Sequence, residues 1–319
     1  MDYNEISSEE LSLLETAFKL YNISKSHSNI YRSDDHSICK NLILQYYRLI
    51  RPNHSKMVST FKRKYVSNEA LVEKNDTNEE RKGLSLVYDY IQGFDINHDY
   101  FNIFINSMII HQILYKPLDD KNAKEYEELN SKARKLLIEA KKEKSLDKYN
   151  KAKEMLKLGE KTKFGGALRT ESVVMRDYNI DVPDGKDVMR IMNSYLSSEK
   201  KEEYNKALNN PNILEYIAYS VKTTGYLIGI QPFKDGNKRT FRALLNLMFK
   251  KRNLPPVYIV KKERKAYHDA LEKGIVNNDY NDLITFYYYK VCDSIYELDF
   301  KPRFEGKKKE SIDSPSKNL

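Results

Sequence analysis

The sequence predicts an all-α fold, and three observations carry that prediction. Apolar residues recur at helical spacing through most of the chain, helix start and stop signals bracket these stripes, and the strand expected from the sequence is a single short apolar, β-branched run. Ser7-Ser8-Glu9-Glu10 reads as a capping box opening a first helix to about Tyr21, and Ile38 to Ile50 is a second candidate. From Asp119 to Thr162 the composition turns strongly charged, with Leu136, Leu137, Ala140, Met155 and Leu156 offering a thin apolar stripe. The run Ser172-Val173-Val174-Met175 suits a short strand. Asn210 followed by Pro211 signals a helix start, and Ile213, Ile217, Val221 and Ile228 then predict a buried helix to about Ile230. Phe241, Leu244, Leu245 and Met248 form the next stripe, which begins near Asn237 and must end before Pro255-Pro256.

Between those last two helices lies Gln231-Pro232-Phe233-Lys234-Asp235-Gly236-Asn237-Lys238-Arg239-Thr240-Phe241-Arg242. A helix start leaves backbone N–H groups unpaired and carries partial positive charge, so Gly236 to Arg239 can receive phosphate oxygens. Arg239 and Arg242 are three residues apart, hence on one helical face, and guanidinium groups bind phosphate in bidentate fashion. Asp235 is the nearest carboxylate, and magnesium is held by one or two carboxylates together with substrate phosphates and waters. Phe233 points into the core and anchors the loop. The plain alternative is a turn between two helices with both arginines solvated, because Asp-Gly and Gly-Asn pairs are frequent turn formers.

This stretch resembles the signature of the Fic family, His-Pro-Phe-x-Asp-Gly-Asn-Gly-Arg-x-x-Arg, whose members typically transfer AMP from ATP to a protein hydroxyl. The resemblance implies a Fic-type helical core over residues 67–298, with 1–66 as a helical extension and 299–319 as a disordered basic tail. It makes Phe233, Gly236, Asn237, Lys238, Arg239 and Arg242 the ATP-binding residues and Asp235 the Mg2+ ligand. Gly166-Ala167-Leu168-Arg169-Thr170 is similar to the segment that leads into the family's β-hairpin flap, here 170–180. Val173, Val174 and Met175 would then register a target protein by strand addition. Ile109 to Leu114, Arg264 to Leu271 and Asp279 to Phe286 resemble core and closing helices. Residues 119–162 resemble an inserted helical hairpin, read as a partner-specific element or a solvated strut. Glu69-Ala70-Leu71-Val72-Glu73 and the residues to Thr77 resemble the family's inhibitory segment, in which Glu73 would pair with Arg242. Glu69 stands there for a Ser or Thr and Lys74 for a Gly or Asn, and the alternative is a solvated acidic helix end.

Two positions depart from the signature. Gln231 occupies the place of the catalytic histidine, and glutamine has no titratable group with which to take the proton of the incoming hydroxyl. Lys238 replaces a glycine and narrows the phosphate cradle, as in the related Doc proteins, which transfer phosphate. The expectation is a protein AMP transferase impaired in this form. A nucleotide-binding pseudoenzyme with a regulatory role and a Doc-like phosphotransferase are the alternatives. The expected partners are ATP and a protein bearing Tyr, Thr or Ser, including the chain itself with its 25 tyrosines; a homo-oligomer is compatible.

Composition excludes other classes. The formal charge of +9 comes from 55 Lys and Arg against 46 Asp and Glu, but it is diffuse, with Lys307-Lys308-Lys309 the densest basic cluster. No zinc-ligand spacing or RNA-binding aromatic motif accompanies it, which argues against nucleic acid. Cys39 and Cys292 are too few for a disulfide framework, so a reducing compartment is the default. With no apolar run of membrane length and no leader-like start, the expectation is cytoplasmic, a reading compatible with delivery into a host cell.

Overall fold

The computed structural model describes residues 8–26, 36–50, 59–73, 76–97, 101–159, 165–173, 175, 180 and 182–300. Among these stand twelve α-helices and no sheet, as the periodicity predicts. They are α1 (Ser8–Ser26), α2 (Ser37–Ile50), α3 (Ser59–Val72), α4 (Asn78–Gly93), α5 (Ile103–Glu143) and α6 (Leu146–Gly159). There follow α7 (Gly185–Ser194), α8 (Ser198–Leu208), α9 (Ile213–Ile230), α10 (Asn237–Lys251), α11 (Arg264–Asn277) and α12 (Asn281–Ile295). None of them is long and apolar enough to cross a membrane.

The axis of the fold is α10, which is buried on every side from Arg239 to Phe249, as its unbroken apolar run from Ala243 to Leu245 requires. It packs on α9, α5 and α4. The helix stops where expected: Asn253 enters the left-handed region at φ 54° and the Leu254 amide returns to the Phe249 carbonyl at 3.0 Å, just before the two prolines. The Asn246 side chain then holds both the amide and the carbonyl of Val257, at 2.7 and 2.9 Å, fixing the exit strand against the helix. Helix α9 also lies where the stripe predicts, but its cap is Asn212. That side chain accepts from the Leu214 amide at 3.1 Å, while Asn210 accepts from the Asn212 amide in the preceding turn.

The first two helices share the main core. Tyr21 of α1 donates to the Tyr289 carbonyl and to Asp293 of α12, at 3.1 and 3.0 Å. From α2, Cys39, Leu42, Ile43 and Tyr46 are buried in the same apolar cluster.

Helix α5 runs through the expected boundary at 119 without interruption, 41 residues long with Pro117 inside it. Its first half buries Ile103, Asn106, Ser107, Ile110, His111, Leu114 and Tyr115. Its second half buries only Ala133 and Ala140, and α6 folds back against it on Ala152 after a turn at Lys144, φ 53°. The charged segment is therefore the outer half of a core helix plus α6, held by a seam of small residues. Of the flap, only an isolated antiparallel bridge between Met175 and Ile180 is described. Ser7, Lys74, Asn75, Val174 and tail residues 301–319 lie outside the described residues, and a π-helical turn, Tyr296–Phe300, extends α12 beyond position 298.

Helices α4 and α5 cross at close range. A Cβ on Gly83 would sit 2.0 Å from the Leu114 carbonyl oxygen, so only glycine permits this approach. Replacing Gly83 by Ala should cost about 1–3 kcal/mol in urea unfolding through overpacking. Gly93, whose Cβ would meet nothing within 4 Å, should tolerate Ala within about 0.5 kcal/mol. Equal effects at both positions would contradict the close crossing.

Candidate active site

The loop from Gln231 to Gly236 is fixed from below by side chains that use up its polar groups. Phe233 is fully buried and stacks on His111, with ring centroids 3.9 Å apart and planes within 7°. His111 Nδ1 accepts the Gly166 amide at 2.9 Å, so Nε2 carries the hydrogen and donates to the Asp235 carbonyl, also at 2.9 Å. Burial lowers the His111 pKa to about 4. A neutral imidazole with both nitrogens engaged is a strut. Asn237 closes the loop, accepting the Phe233 amide and donating to the Phe233 carbonyl, each at 2.8 Å. Phe233 and the Asn237 side-chain amide thus hold the loop together.

Gln231 is the C-cap of α9 in the left-handed region, at φ 50° and ψ 57°. Its Nε2 donates to the Ile228 carbonyl at 2.7 Å and its Oε1 accepts from Asn237 at 3.0 Å. Arg169 reaches the same corner and donates to the carbonyls of Gln231, Ile230, Glu171 and Pro183. One guanidinium there satisfies the carbonyl end of α9 and ties it to the segment entering α7. An antiparallel bridge between Leu168 and Phe233 completes the tie. Of the flap positions, Val173 is partly exposed, and Met175 is buried in the main core.

Gly236 opens α10 at φ 76°, with no side chain capping the helix start. A Cβ at this position would lie 2.6 Å from the Tyr115 ring, so glycine is required both by conformation and by space. Tyr115 donates its hydroxyl hydrogen to Asp235 Oδ2 at 2.7 Å and accepts from Arg239 at 3.2 Å. Asp235 Oδ1 takes the Gly236 amide at 2.7 Å. The Asp235 side chain remains 61% exposed, open to a cation. Among the described residues no group of three or more acidic, His or Cys side chains is placed to hold a metal. The donor set therefore fits magnesium held by one carboxylate with phosphates and water, and no closed protein cage.

Both arginines are buried, and each faces carboxylates that arrive from earlier helices. Arg242 donates Nε to Glu69 and Nη1 to Glu73, each at 2.6 Å. Burial opposes its charge, but Glu69 and Glu73 hold its pKa well above the usual value. Glu73, one residue past the end of α3, is also 3.9 Å from Lys238 Nζ. Despite burial, Arg242 and Lys238 hold the Glu73 carboxyl below its usual range. Arg239 donates Nη1 to Glu80 at 2.6 Å and lies over the Tyr115 ring. Glu80 sits in the first turn of α4, which Thr77 caps through the Glu80 amide. Glu69, Glu80 and Tyr115 carried no role in the sequence reading. Glu80 does stand in a Thr77-x-x-Glu80 capping pattern, but its carboxyl turns away to Arg239.

No model of a known protein family matches the chain. A protein adenylyltransferase Fic from Drosophila persimilis is 30% identical over 108 residues, which are 34% of this chain and 20% of that relative. The same named protein from Nematostella vectensis is 30% identical over 110 residues, 34% of this chain and 23% of the relative. The match thus spans about a fifth of the curated relatives' length. Among solved structures, Fic-1 (residues 134–508) from C. elegans superposes with a TM-score of 0.51 over 95% of this chain and 74% of that one, at 17% identity, a likeness of fold.

Glu80 generates a pH prediction. Burial, with Asp235 and Glu73 nearby, raises its pKa from 4.5 to about 7 against the pull of Arg239. A carboxyl raised on folding favours the native state when protonated, so its contribution is complete below the ordinary carboxylate pKa and is lost as pH rises through 7. Urea unfolding between pH 5 and 8 should show the wild-type chain losing on the order of 2–3 kcal/mol relative to Glu80→Gln. Parallel pH profiles for the two proteins would refute the assignment.

Proposed function

Because this chain belongs to the Fic domain family, we propose that it is built to transfer AMP from Mg-ATP to a protein hydroxyl and that Gln231 impairs this step. The observation that carries the proposal is the pair of buried guanidiniums, Arg239 and Arg242, at the uncapped start of α10 beside the exposed Asp235 carboxylate. Such an array suits a polyphosphate: fixed bidentate donors, a helix start and one metal ligand. In the reaction the acceptor oxygen bonds to the α-phosphorus of ATP as the bond to pyrophosphate breaks. A divalent ion at Asp235 would supply charge neutralisation of the phosphates. The hydroxyl proton needs an acceptor at position 231, and a glutamine side chain cannot take it, at a rate cost on the order of 10² to 10⁴.

The carboxylates add a restraint on nucleotide entry. Phosphates that use Arg242 must displace Glu69 and Glu73, and those that use Arg239 must displace Glu80. The chain as folded here is therefore held in a closed state by three glutamates rather than one. A second reading, transfer of the γ-phosphate, is favoured by Lys238, whose ammonium lies 3.9 Å from Glu73 on one side of the cradle.

Incubation of Gln231→His with labelled ATP separates these readings. AMP transfer predicts protein-bound label from the α-position, on the chain itself or in a lysate, rising further with Glu73→Gly and exceeding the Gln231 protein on the order of 100-fold. Label from the γ-position alone would establish phosphate transfer instead. No label from either position would remove the transferase reading. Calorimetry with Mg-ATP should also show binding lost in Arg239→Ala, and unchanged affinity would remove the phosphate cradle.

A further inference from the structure

The two cysteines are 253 residues apart in sequence, yet Cys39 Sγ on α2 and Cys292 Sγ on α12 lie 3.1 Å from each other. Both are thiols outside any disulfide and buried in the main core, and Cys292 Sγ is also 3.6 Å from the Cys39 carbonyl. Their helices are seated by Leu42, Ile43 and Tyr46 on one side and by the Tyr21 bonds to α12 on the other. The transfer reaction proposed above uses neither sulfur. A structural cysteine in a core needs only an apolar neighbour. Here each thiol has instead the other thiol, at a distance about 1 Å longer than the roughly 2.05 Å of an S–S bond.

We propose that Cys39 and Cys292 form an oxidation site, a thiol pair that a small hydroperoxide converts into a covalent tie between the N-terminal helices and α12. The chemistry balances with hydrogen peroxide as the oxidant. One thiolate attacks the O–O bond and becomes a sulfenic acid, releasing water once the departing hydroxide takes the thiol proton. The second sulfur attacks the first, forming S–S as the S–O bond breaks and the second water leaves. Two thiols lose two electrons in total, and the peroxide accepts them. Burial excludes bulky oxidants, while the adjacent second thiol intercepts the sulfenic acid before it climbs to sulfinic or sulfonic acid. The tie closes a loop of 253 residues, which restricts the unfolded chain and raises stability.

The full-length reduced chain, treated with hydrogen peroxide and then quenched, should lose about 2 Da and both maleimide-reactive thiols when assayed in denaturant, with dithiothreitol restoring them. Its melting temperature should rise on the order of 5 °C over the reduced form. Cys39→Ser should instead gain oxygen at Cys292 and show no rise. The proposal is overturned if the oxidised wild-type chain keeps both thiols, gains oxygen atoms without losing hydrogen, or forms covalent dimers on a non-reducing gel. These readouts involve no nucleotide, so they stand or fall apart from the transfer reaction.

Discussion

The site depends on the cost of keeping two guanidiniums away from water. Arg239 and Arg242 are nearly inaccessible, and a buried charge is tolerated only when an opposite charge and hydrogen bonds meet it. The chain supplies Glu69 and Glu73 to one and Glu80 and Asp235 to the other. Breaking such a pair from one side costs about 3–5 kcal/mol, since the remaining charge stays buried. The only economical replacement for a displaced glutamate is another anion with oxygen acceptors. Under the proposed function, that replacement is the phosphate chain of the nucleotide. Burial first, and then the Asp235 and Glu73 carboxylates nearby, push Glu80 toward neutrality against the pull of Arg239.

Everything beneath the arginines serves to hold them still. A helix buried on all faces cannot rotate, so α10 presents both guanidiniums from a fixed axis. Its start is set by Gly236 wedged against Tyr115, its approach by Phe233 stacked on His111, and the preceding helix end by Arg169. A left-handed residue at position 231 turns the chain sharply from one helix to the next, placing that side chain at the mouth of the loop. Hydrogen bonds to the Ile228 carbonyl and from Asn237 hold the Gln231 side chain at this turn.

Much of this was legible in the sequence because it is local. Helices α9 and α10 announce themselves by periodicity, the loop by Asp-Gly-Asn, and the stop by Pro255-Pro256. The cap of α9 was misplaced by two residues because Asn210 and Asn212 are both capable acceptors. The unbroken course of α5 past Pro117 was missed because a charged composition reads as a boundary, whereas Ala133, Ala140 and Ala152 suffice for a thin helix seam. What the sequence could not disclose are pairings without local pattern. Glu80 meets Arg239 across 159 residues, Tyr115 meets Asp235 across 120, and the cysteines meet across 253. Glu69 was a departure from an expected Ser or Thr, and it proves to be a second counter-ion for Arg242.

On the proposed function, glutamates and phosphates compete for the same guanidiniums. Calorimetric titration of Mg-ATP into the wild-type chain and into a variant carrying both Glu73→Gly and Glu80→Gln measures that competition directly. The variant should bind at least about 10-fold more tightly, a gain of about 1.4 kcal/mol. Equal affinity in the two proteins would contradict it, because the carboxylates would then not occupy the place the nucleotide needs.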